Sequence, residues 1–304
     1  MDGLLALWKE RGMTSHDCVY KVRKILATKK VGHSGTLDPD VDGVLPLGIG
    51  KGTKMLEYMV ESSKTYQGQV ELGQSTTTQD GSGDILSQAP VTASDLNKEQ
   101  VDRVLSRFIG EVSQVPPMYS AVRVKGRRLY DYARKNEAVD RPKRQVVIQA
   151  LDRTSDLAFD PMKQTASFSF RVVCSKGTYV RTLAEDIARE LGYPGYMSDL
   201  TRLGSGGFTK EDCLTLNQLE DLVNQGQVAD CLEPMERALS HLPSQQLSSE
   251  EWSRVKHGAL LSRADYAQTY PLVLYYQNQA VAIYQAHPEK PDLLKPKKVL
   301  RTEM

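Results

Sequence analysis

Apolar residues recur at helical spacing in four stretches of the chain. In the first, Cys18, Val22 and Leu26 fall on one face of a helix. In the third, Asn97 and Gln100 have the spacing of a capping box, in which two side chains satisfy free amides at a helix start. We predict helices at residues 15–29, 53–60, 97–109 and 178–191.

Alternating or short apolar runs predict strands between these helices. In one such run, Phe168, Phe170 and Val172 share a face. Near the end of the chain, two apolar stretches flank the turn residues Gln277 and Asn278 and indicate a hairpin. The predicted strands are 44–49, 65–72, 146–154 and 165–174, with the hairpin at 271–286.

Polar stretches divide these elements. Residues 233–249 are polar and contain two prolines, which is typical of a domain junction. We therefore predict one domain over residues 1–240 and a small β-rich module over residues 241–304. Residues 74–84 are predicted to form a loop, and residues 114–147 a long exposed loop or arm.

The composition favours a cytoplasmic globular protein. The 304 residues suffice for about two domains, and no apolar run approaches the ~20 residues that cross a membrane. The four cysteines form no C-x-x-C pair and the five histidines are scattered, so neither a metal site nor a disulfide framework is expected. The chain also lacks a P-loop, a dinucleotide-binding G-x-G-x-x-G after a strand, a G-x-S-x-G elbow and H-E-x-x-H.

The net charge is only +1, but the basic residues are unevenly distributed. Residues 114–147 hold nine Lys and Arg against three Asp and Glu, an excess of six. Tyr119, Tyr130 and Tyr132 lie among these charges. Basic segments with aromatic side chains are typical of nucleic-acid binding, through phosphate neutralisation and base stacking. A solvated charged surface is the alternative interpretation.

The segment GHSGTLDP places one carboxylate, Asp38, in a glycine-rich loop ahead of an apolar run. Pro39 favours an extended backbone at Asp38, and the glycines permit tight turns or close approach to a ligand. An acid fixed on such a loop is a candidate catalytic group. Alternatively, Asp38 only starts a turn.

Two further side chains are candidates for the same site. In CSKGTYVRT, Arg181 falls in the first turn of a predicted helix, where a cation is unfavourable on dipole grounds. That placement suggests a functional role, such as pairing with Asp38. Tyr66 follows Lys64 at the start of a predicted strand and could stack on a base. The alternatives are a surface ion pair for Arg181 and a core position for Tyr66.

Several motifs follow one another along the chain. They are Gly12-Met13-Thr14-Ser15, KKVGHSGTLDPDVDGVLPLGIGKGTK, SKTY, a threonine-rich loop ending in QDGSGD, VPPMYSAVRVKGRRLYDYAR, CSKGTYVRT and Asp199-Leu200-Thr201-Arg202. In this order and spacing they closely resemble the TruB family of tRNA pseudouridine synthases, over nearly the whole chain. One departure is Glu10 after Lys9, where the family usually has Lys-Pro.

The resemblance implies a cofactor-free enzyme that converts uridine into pseudouridine in RNA, at uridine 55 of the tRNA T loop in bacterial members. It implies an α+β fold with a mixed, mainly antiparallel sheet, flanking helices and a central cleft. Residues 241–304 would form a PUA-like module. The expected partner is tRNA, bound through its T stem-loop and acceptor end, with no membrane and no obligate protein partner.

The resemblance also implies roles for individual residues. Asp38 would be the essential carboxylate, either a nucleophile or a base at the ribose. Arg181 would keep Asp38 ionised, and Tyr66 would stack on the flipped base and help remove its C5 proton. The other expected substrate-binding residues are His33, Lys64, Arg127, Arg128, Tyr179 and Leu200.

Two other functions fit some of the same features. An RNA-binding or tRNA-folding factor with secondary catalysis would need the basic and aromatic residues, but not Asp38, Tyr66 and Arg181 together. A guide-RNA-dependent, dyskerin-type synthase would work inside a multi-protein particle, and no long charged tail here suggests such partners. The sequence therefore favours the stand-alone enzyme.

Overall fold

The computed structural model describes residues 1–266 and 269–304. Within these ranges the α-helices are Ser15–Ile25 (α1), Leu56–Glu61 (α2), Lys98–Arg107 (α3), Leu129–Ala133 (α4), Val180–Glu190 (α5), Leu216–Asn224 (α6) and Ser249–Val255 (α7). Short 3-10 segments lie at Gly50–Met55, Lys210–Asp212, Val228–Cys231, Met235–Leu239 and Arg263–Asp265. None of the helices described is both long and apolar enough to cross a membrane.

The β-strands follow the chain in this order: Gly3–Lys9 (β1), Val31–His33 (β2), Asp42–Ile49 (β3), Lys64–Leu72 (β4), Gln74–Thr76 (β5), Ile85–Gln88 (β6), Gly110–Gln114 (β7), Arg123–Val124 (β8), Arg127–Arg128 (β9), Arg144–Arg153 (β10), Ala158–Asp160 (β11), Thr165–Cys174 (β12), Gly195–Ser205 (β13), Phe208–Thr209 (β14), Ser244–Gln246 (β15), Leu261–Ser262 (β16), Leu272–Tyr276 (β17), Gln279–Ala286 (β18) and Leu293–Val299 (β19).

A large sheet runs through the middle of the molecule, with its main strands in the order β1-β3-β13-β4-β12-β10-β7. Neighbouring strands are antiparallel except β3 and β13, which pair in parallel. The predicted α+β fold with a mixed, mainly antiparallel sheet is confirmed.

Strand β13 is central in this sheet, although its sequence was not predicted as a strand. Its pairing with β4 is shifted between Met197 and Asp199, and again between Arg202 and Gly204. Each bulge inserts an unpaired residue, so the alternation of apolar and polar positions changes phase along the strand. This irregular strand brings Leu200 and Arg202 to the middle of the molecule.

Helices α3 and α5 pack on the sheet and bury its largest apolar cluster. Val104 from α3 and Ile187 from α5 join Phe168 of β12 in this core. Gly195 allows α5 to lie close to β13, since a Cβ there would clash with the Cβ of Ala188.

All four predicted helices differ in their ends from those in the structure. Helix α1 stops at Ile25, because Ala27 adopts a left-handed φ of 48°. The stretch 53–60 is a 3-10 segment that continues into α2. Helix α5 begins at Val180, two residues later than predicted. The capping box of α3 is present as predicted.

Two stretches predicted as loops contain regular structure. Strands β5 and β6 form a hairpin whose connection, residues 77–84, we call the Asp80 loop. Residues 114–147, the arm, contain β8, β9 and α4, with Leu129 and Tyr132 buried. The sequence did not predict these elements of the arm, because such short elements show no measurable hydrophobic period.

The C-terminal residues form a second sheet, ordered β15-β17-β18-β19-β16. The predicted hairpin is present as β17 and β18, with positive φ at Gln277 and Asn278. Ile283 and Leu300 share an apolar core with Tyr58 of α2, so this β-rich module packs directly on the rest of the chain. The boundary between residues 240 and 241 stays a prediction.

Candidate functional site

The loop that carries Asp38, residues 34–41, is held to its surroundings by buried polar contacts. Ser15 accepts a hydrogen bond from the amide of Leu37, 2.9 Å away. Lys9 is fully buried, and its Nζ donates to the carbonyl oxygens of Pro39 at 3.1 Å and Val41 at 2.7 Å. These contacts fix the backbone on both sides of Asp38, while 48% of its own side chain stays exposed.

Arg181 meets Asp38 as the sequence predicted. Its Nη2 lies 3.1 Å from Oδ2 of Asp38 and donates to the carbonyl of Tyr119 at 2.9 Å. Only 8% of the Arg181 side chain is exposed, so the pair is not a solvated surface ion pair. Its guanidinium is therefore desolvated and fixed beside the exposed carboxylate, an arrangement in which charge pairing is strong.

Asp80 is a second acid on Arg181, and it was not predicted from the sequence. Its Oδ2 lies 3.4 Å from Nη1 of Arg181, which also donates to the carbonyl of Thr78 at 3.2 Å. The other oxygen, Oδ1, accepts from the hydroxyl of Thr78 at 2.6 Å and the amide of Ser82 at 3.0 Å. An acid among hydroxyls and glycines in QDGSGD was the available signal, but it is equally typical of a simple turn.

Tyr66 lies on β4 directly opposite Arg202 of β13. Its ring is half-buried against the main core. Burial raises the pKa of Tyr66, and the positive charge and hydrogen bond of Arg202 oppose that rise. Tyr66 is therefore neither a fully buried core residue nor a free surface side chain.

Lys64 points inward at the start of the same strand. Its Nζ donates to the carbonyl oxygens of Ser62, at 2.6 Å, and Val60. Burial lowers its pKa to about 8. Lys64 therefore faces the interior of the site.

The other predicted substrate-binding residues are spread around this centre. Tyr179 precedes α5, and its backbone is held by Gln114 at the base of the arm through a 3.0 Å hydrogen bond. Leu200 lies on β13 opposite Gly68. His33 ends β2 and meets His16 edge-on, with ring centres 5.9 Å apart. Burial lowers the pKa of His33.

Arg127 and Arg128 lie on the arm, in strand β9, and neither lines a cavity at Asp38. Arg127 pairs with Glu137 at 2.7 Å and sits over the ring of Tyr132, 4.2 Å from its centre. Arg128 is exposed and donates to the hydroxyl of Tyr130 at 3.2 Å. Arg127 therefore helps to hold the arm together, whereas Arg128 presents its charge to solvent.

Two cavities meet at Asp38. The outer cavity, about 620 Å³, extends toward the Asp80 loop and the arm, and the inner cavity, about 310 Å³, extends beneath Tyr66. Asp38, Val41, Arg181 and Leu200 line both. A half-exposed carboxylate between a wide opening and a narrow interior can act as a nucleophile or a base on a group inserted from outside.

The two cavities differ in charge. The carboxylates lining the outer cavity are those of Asp38, Asp40, Asp80 and Asp199, and its cations are Arg11, Arg134 and Arg181. The cations lining the inner cavity are Lys64, Lys176, Arg181 and Arg202. Among the described residues that line it, Asp38 is the sole acid. The inner cavity is therefore strongly electropositive.

Comparison with known proteins gives consistent matches. Residues 23–180 match the model described as TruB family pseudouridylate synthase (N terminal domain), and residues 181–240 match tRNA pseudouridylate synthase B C-terminal domain. Two proteins named tRNA pseudouridine synthase B are similar to this chain. The protein of Bacillus pumilus is 47% identical, and the match covers 99% of this chain and 98% of that protein. The protein of Halalkalibacterium halodurans is 48% identical, and the match covers 100% of this chain and 99% of that protein.

Solved structures show the same fold. A chain of a Cbf5-Nop10-Gar1 complex superposes with a TM-score of 0.75 at 27% identity, covering 98% of this chain and 85% of that chain. A chain of the Nop10-Cbf5 complex of an archaeal box H/ACA sRNP gives a TM-score of 0.71 at 23% identity, covering 98% of this chain and 86% of that chain. The C-terminal sheet is part of this likeness and resembles a PUA-like module.

Proposed function

The chain belongs to the TruB family of pseudouridylate synthases, and we propose that it isomerises uridine 55 in the T loop of tRNA to pseudouridine. The isomerisation of uridine in tRNA follows from the family and from the names of the similar proteins. What we propose beyond this is the target position, uridine 55 in the T loop.

The observation that carries this proposal is the 3.1 Å pair of Arg181 and Asp38 at the junction of the two cavities. A uridine in a folded loop must first leave its stack, which costs a few kcal/mol. The outer cavity is open to such a loop, and the inner cavity is at the small end of the size range of ligand pockets. Asp38 would then meet the sugar at the point where base and ribose join.

The reaction breaks the N1–C1′ bond, turns the base and joins C5 to C1′. Asp38 acts either as the nucleophile that takes C1′ or as the base at the ribose, and Arg181 holds its carboxylate ionised and oriented. Tyr66 stacks on the flipped base and takes part in removing the C5 proton. Substrate and product are isomers, so the reaction consumes no cofactor.

The surrounding elements would bind the remainder of the tRNA. We infer that the arm closes on the T stem-loop, with Arg128 among its phosphate contacts, and that the PUA-like module meets the acceptor end. The relatives with the higher identity carry the tRNA-specific name, which favours the stand-alone enzyme over a guide-dependent synthase.

The test is tritium release from a tRNA transcript labelled at uridine C5. Wild-type protein is expected to release one tritium per tRNA, and a transcript with cytidine at the T-loop position should release none. Asp38→Asn should release none while binding tRNA normally, because it removes the charge but keeps the shape. The matched control is Asp152→Asn, an exposed aspartate on β10. Turnover by Asp38→Asn at the wild-type rate would contradict the role of Asp38.

A further inference from the structure

Two of the cations in the inner cavity lack an acidic partner. Arg181 is committed to Asp38 and Asp80, and Lys176 pairs with Glu61 at the surface, 2.5 Å away. Arg202 and Lys64 form no ion pair with any of the residues described. The wall of the inner cavity that carries Tyr66 therefore holds two buried cationic groups that form no ion pair with a carboxylate among the described residues.

Arg202 is the more deeply buried of the two, with 1% of its surface exposed. Its Nε donates to the carbonyl of Val44 at 2.8 Å, and its Nη2 donates to the carbonyl of Gly35 at 3.2 Å. The guanidinium thus spans β3 and the Asp38 loop, directly across from Tyr66. These contacts fix its position but supply no negative charge.

Lys64 lies two residues before Tyr66 on the same strand and faces the same side. Its two carbonyl acceptors leave one N–H of the ammonium group free for a ligand. Burying an ammonium or a guanidinium without a counter-ion is costly, so two of them on one wall need a functional reason.

We propose that Arg202 and Lys64 form an anion-binding wall that stabilises the uracil ring while it is detached from C1′. This inference rests on the proposed function. When the N1–C1′ bond breaks, its electron pair stays on the ring, which becomes a pyrimidine anion. C1′ is taken by an oxygen of Asp38 or, on the alternative route, the ribose gives its C2′ proton to Asp38.

In the second half of the reaction the uracil ring loses its negative charge. The ring turns and C5 uses its electron pair to bond C1′, while Asp38 releases C1′ or gives the proton back to C2′. The C5 proton then leaves to a base, and N1 gains a proton from water. The negative charge on the ring exists only between the two bond changes, so the wall acts only on that state.

Fixed cations in a desolvated cavity stabilise such a transient charge far more than water does. A neutral uridine gains little from them. Their removal should therefore lower the rate and leave the affinity for unmodified tRNA nearly unchanged.

The first experiment compares Arg202→Met, which keeps the volume and removes the charge, with Arg202→Lys, which keeps the charge. On uridine-containing tRNA, Arg202→Met should slow single-turnover isomerisation by about 10²–10³-fold. The rate of Arg202→Lys should be at least about tenfold higher than that of Arg202→Met. The dissociation constant for tRNA should change by less than about threefold. The control is Arg171→Met, an exposed arginine on strand β12 of the same sheet.

The decisive readout uses tRNA with 5-fluorouridine at the target position, followed by digestion and detection of the rearranged nucleoside. Fluorine withdraws electrons and stabilises the detached ring by itself. The rate reduction caused by Arg202→Met should therefore be at least about tenfold smaller on this substrate than on uridine. An equal rate reduction on both substrates, or a decrease in affinity as large as the decrease in rate, would overturn the proposal.

Lys64 supplies an independent test if Arg202→Met does not fold. The charged groups that face Lys64 are Arg202 on β13, Glu61 on α2 and Lys176, and the Cys174 thiol faces it from β12. With a pKa of about 8, the ammonium is charged below that pH and neutral above it. The wild-type rate should fall as the pH rises through about 8, whereas Lys64→Arg should keep its rate because arginine stays charged.

Identical pH profiles for wild type and Lys64→Arg would remove Lys64 from the wall. Each outcome that would overturn the anion-binding wall is seen with a wild-type protein that is active. If the proposed function itself were wrong, the wild-type protein would release no tritium from labelled tRNA.

Discussion

The Asp38 loop and the arm are both irregular segments beside the outer cavity, but they are held in different ways. The Asp38 loop is anchored by the buried side chains of Lys9, Ser15 and Arg202. The arm buries Leu129 and Tyr132 but is otherwise held by contacts among its own exposed side chains, such as Arg127 with Glu137. Exposed ion pairs of this kind contribute only about 0–1 kcal/mol, whereas each buried polar group left unpaired costs about 1–3 kcal/mol.

This difference matches what the two segments would have to do. A group that reacts must be held in one geometry before the substrate arrives. A segment that grips a folded RNA must be able to open and close. Arg181 connects them, since it binds Asp38 and also the carbonyl of Tyr119 in the arm.

The largest effect should come from breaking that connection. Arg181→Ala removes the partner of Asp38 and leaves Asp80 without its cation. We expect the single-turnover rate to fall by about 10³-fold, with a smaller decrease in tRNA affinity. The measurement is single-turnover pseudouridine formation together with a tRNA dissociation constant.

The control for that variant is Arg189→Ala, an exposed arginine at the other end of α5 that pairs with Asp186. It should keep the wild-type rate. Near-normal turnover by Arg181→Ala would exclude the ion pair as the source of Asp38 orientation.

A smaller effect, on stability more than on chemistry, is expected from Lys9→Met. The change leaves the carbonyl of Val41 without a donor and removes one of the two donors to the carbonyl of Pro39, which should lower the free energy of unfolding by about 1–3 kcal/mol. Urea denaturation of wild type, Lys9→Met and the exposed-site control Lys51→Met would measure it. A change below about 1 kcal/mol would show that water replaces the ammonium and that the loop is not anchored by Lys9.

The same contrast explains what the sequence could and could not predict. Asp38, Tyr66 and Arg181 lie in motifs where a local irregularity, such as a cation at a helix start, is visible in the sequence. The structure brings Asp38 and Arg181 into contact and places Tyr66 on the wall of the same cavity. The role of each in the reaction stays a prediction.

Residues whose position depends on distant parts of the chain were not predicted. Lys9 reaches a loop about thirty residues away, Asp80 meets an arginine one hundred residues later, and Arg202 lies on a strand whose bulges disrupt its pattern. Local periodicity carries no information about such contacts. The short helix α4 was missed for another reason, since five residues are too few to show a helical period.

The smallest effect should come from the arm, where single contacts are weak and exposed. Replacing Arg127 and Arg128 together by alanine should weaken tRNA binding by about three- to tenfold and reduce the slope of log affinity against log salt by about 0.7–0.9 for each phosphate that is no longer neutralised. The rate at saturating tRNA should change little, because neither residue lines the two cavities at Asp38. Glu137→Gln is the matched variant, since it frees Arg127 without removing its charge, and its binding should equal or exceed that of wild type.

An unchanged salt slope in the double variant would mean that the arm does not bind phosphates, and its weak internal contacts would then need a different explanation from gripping RNA.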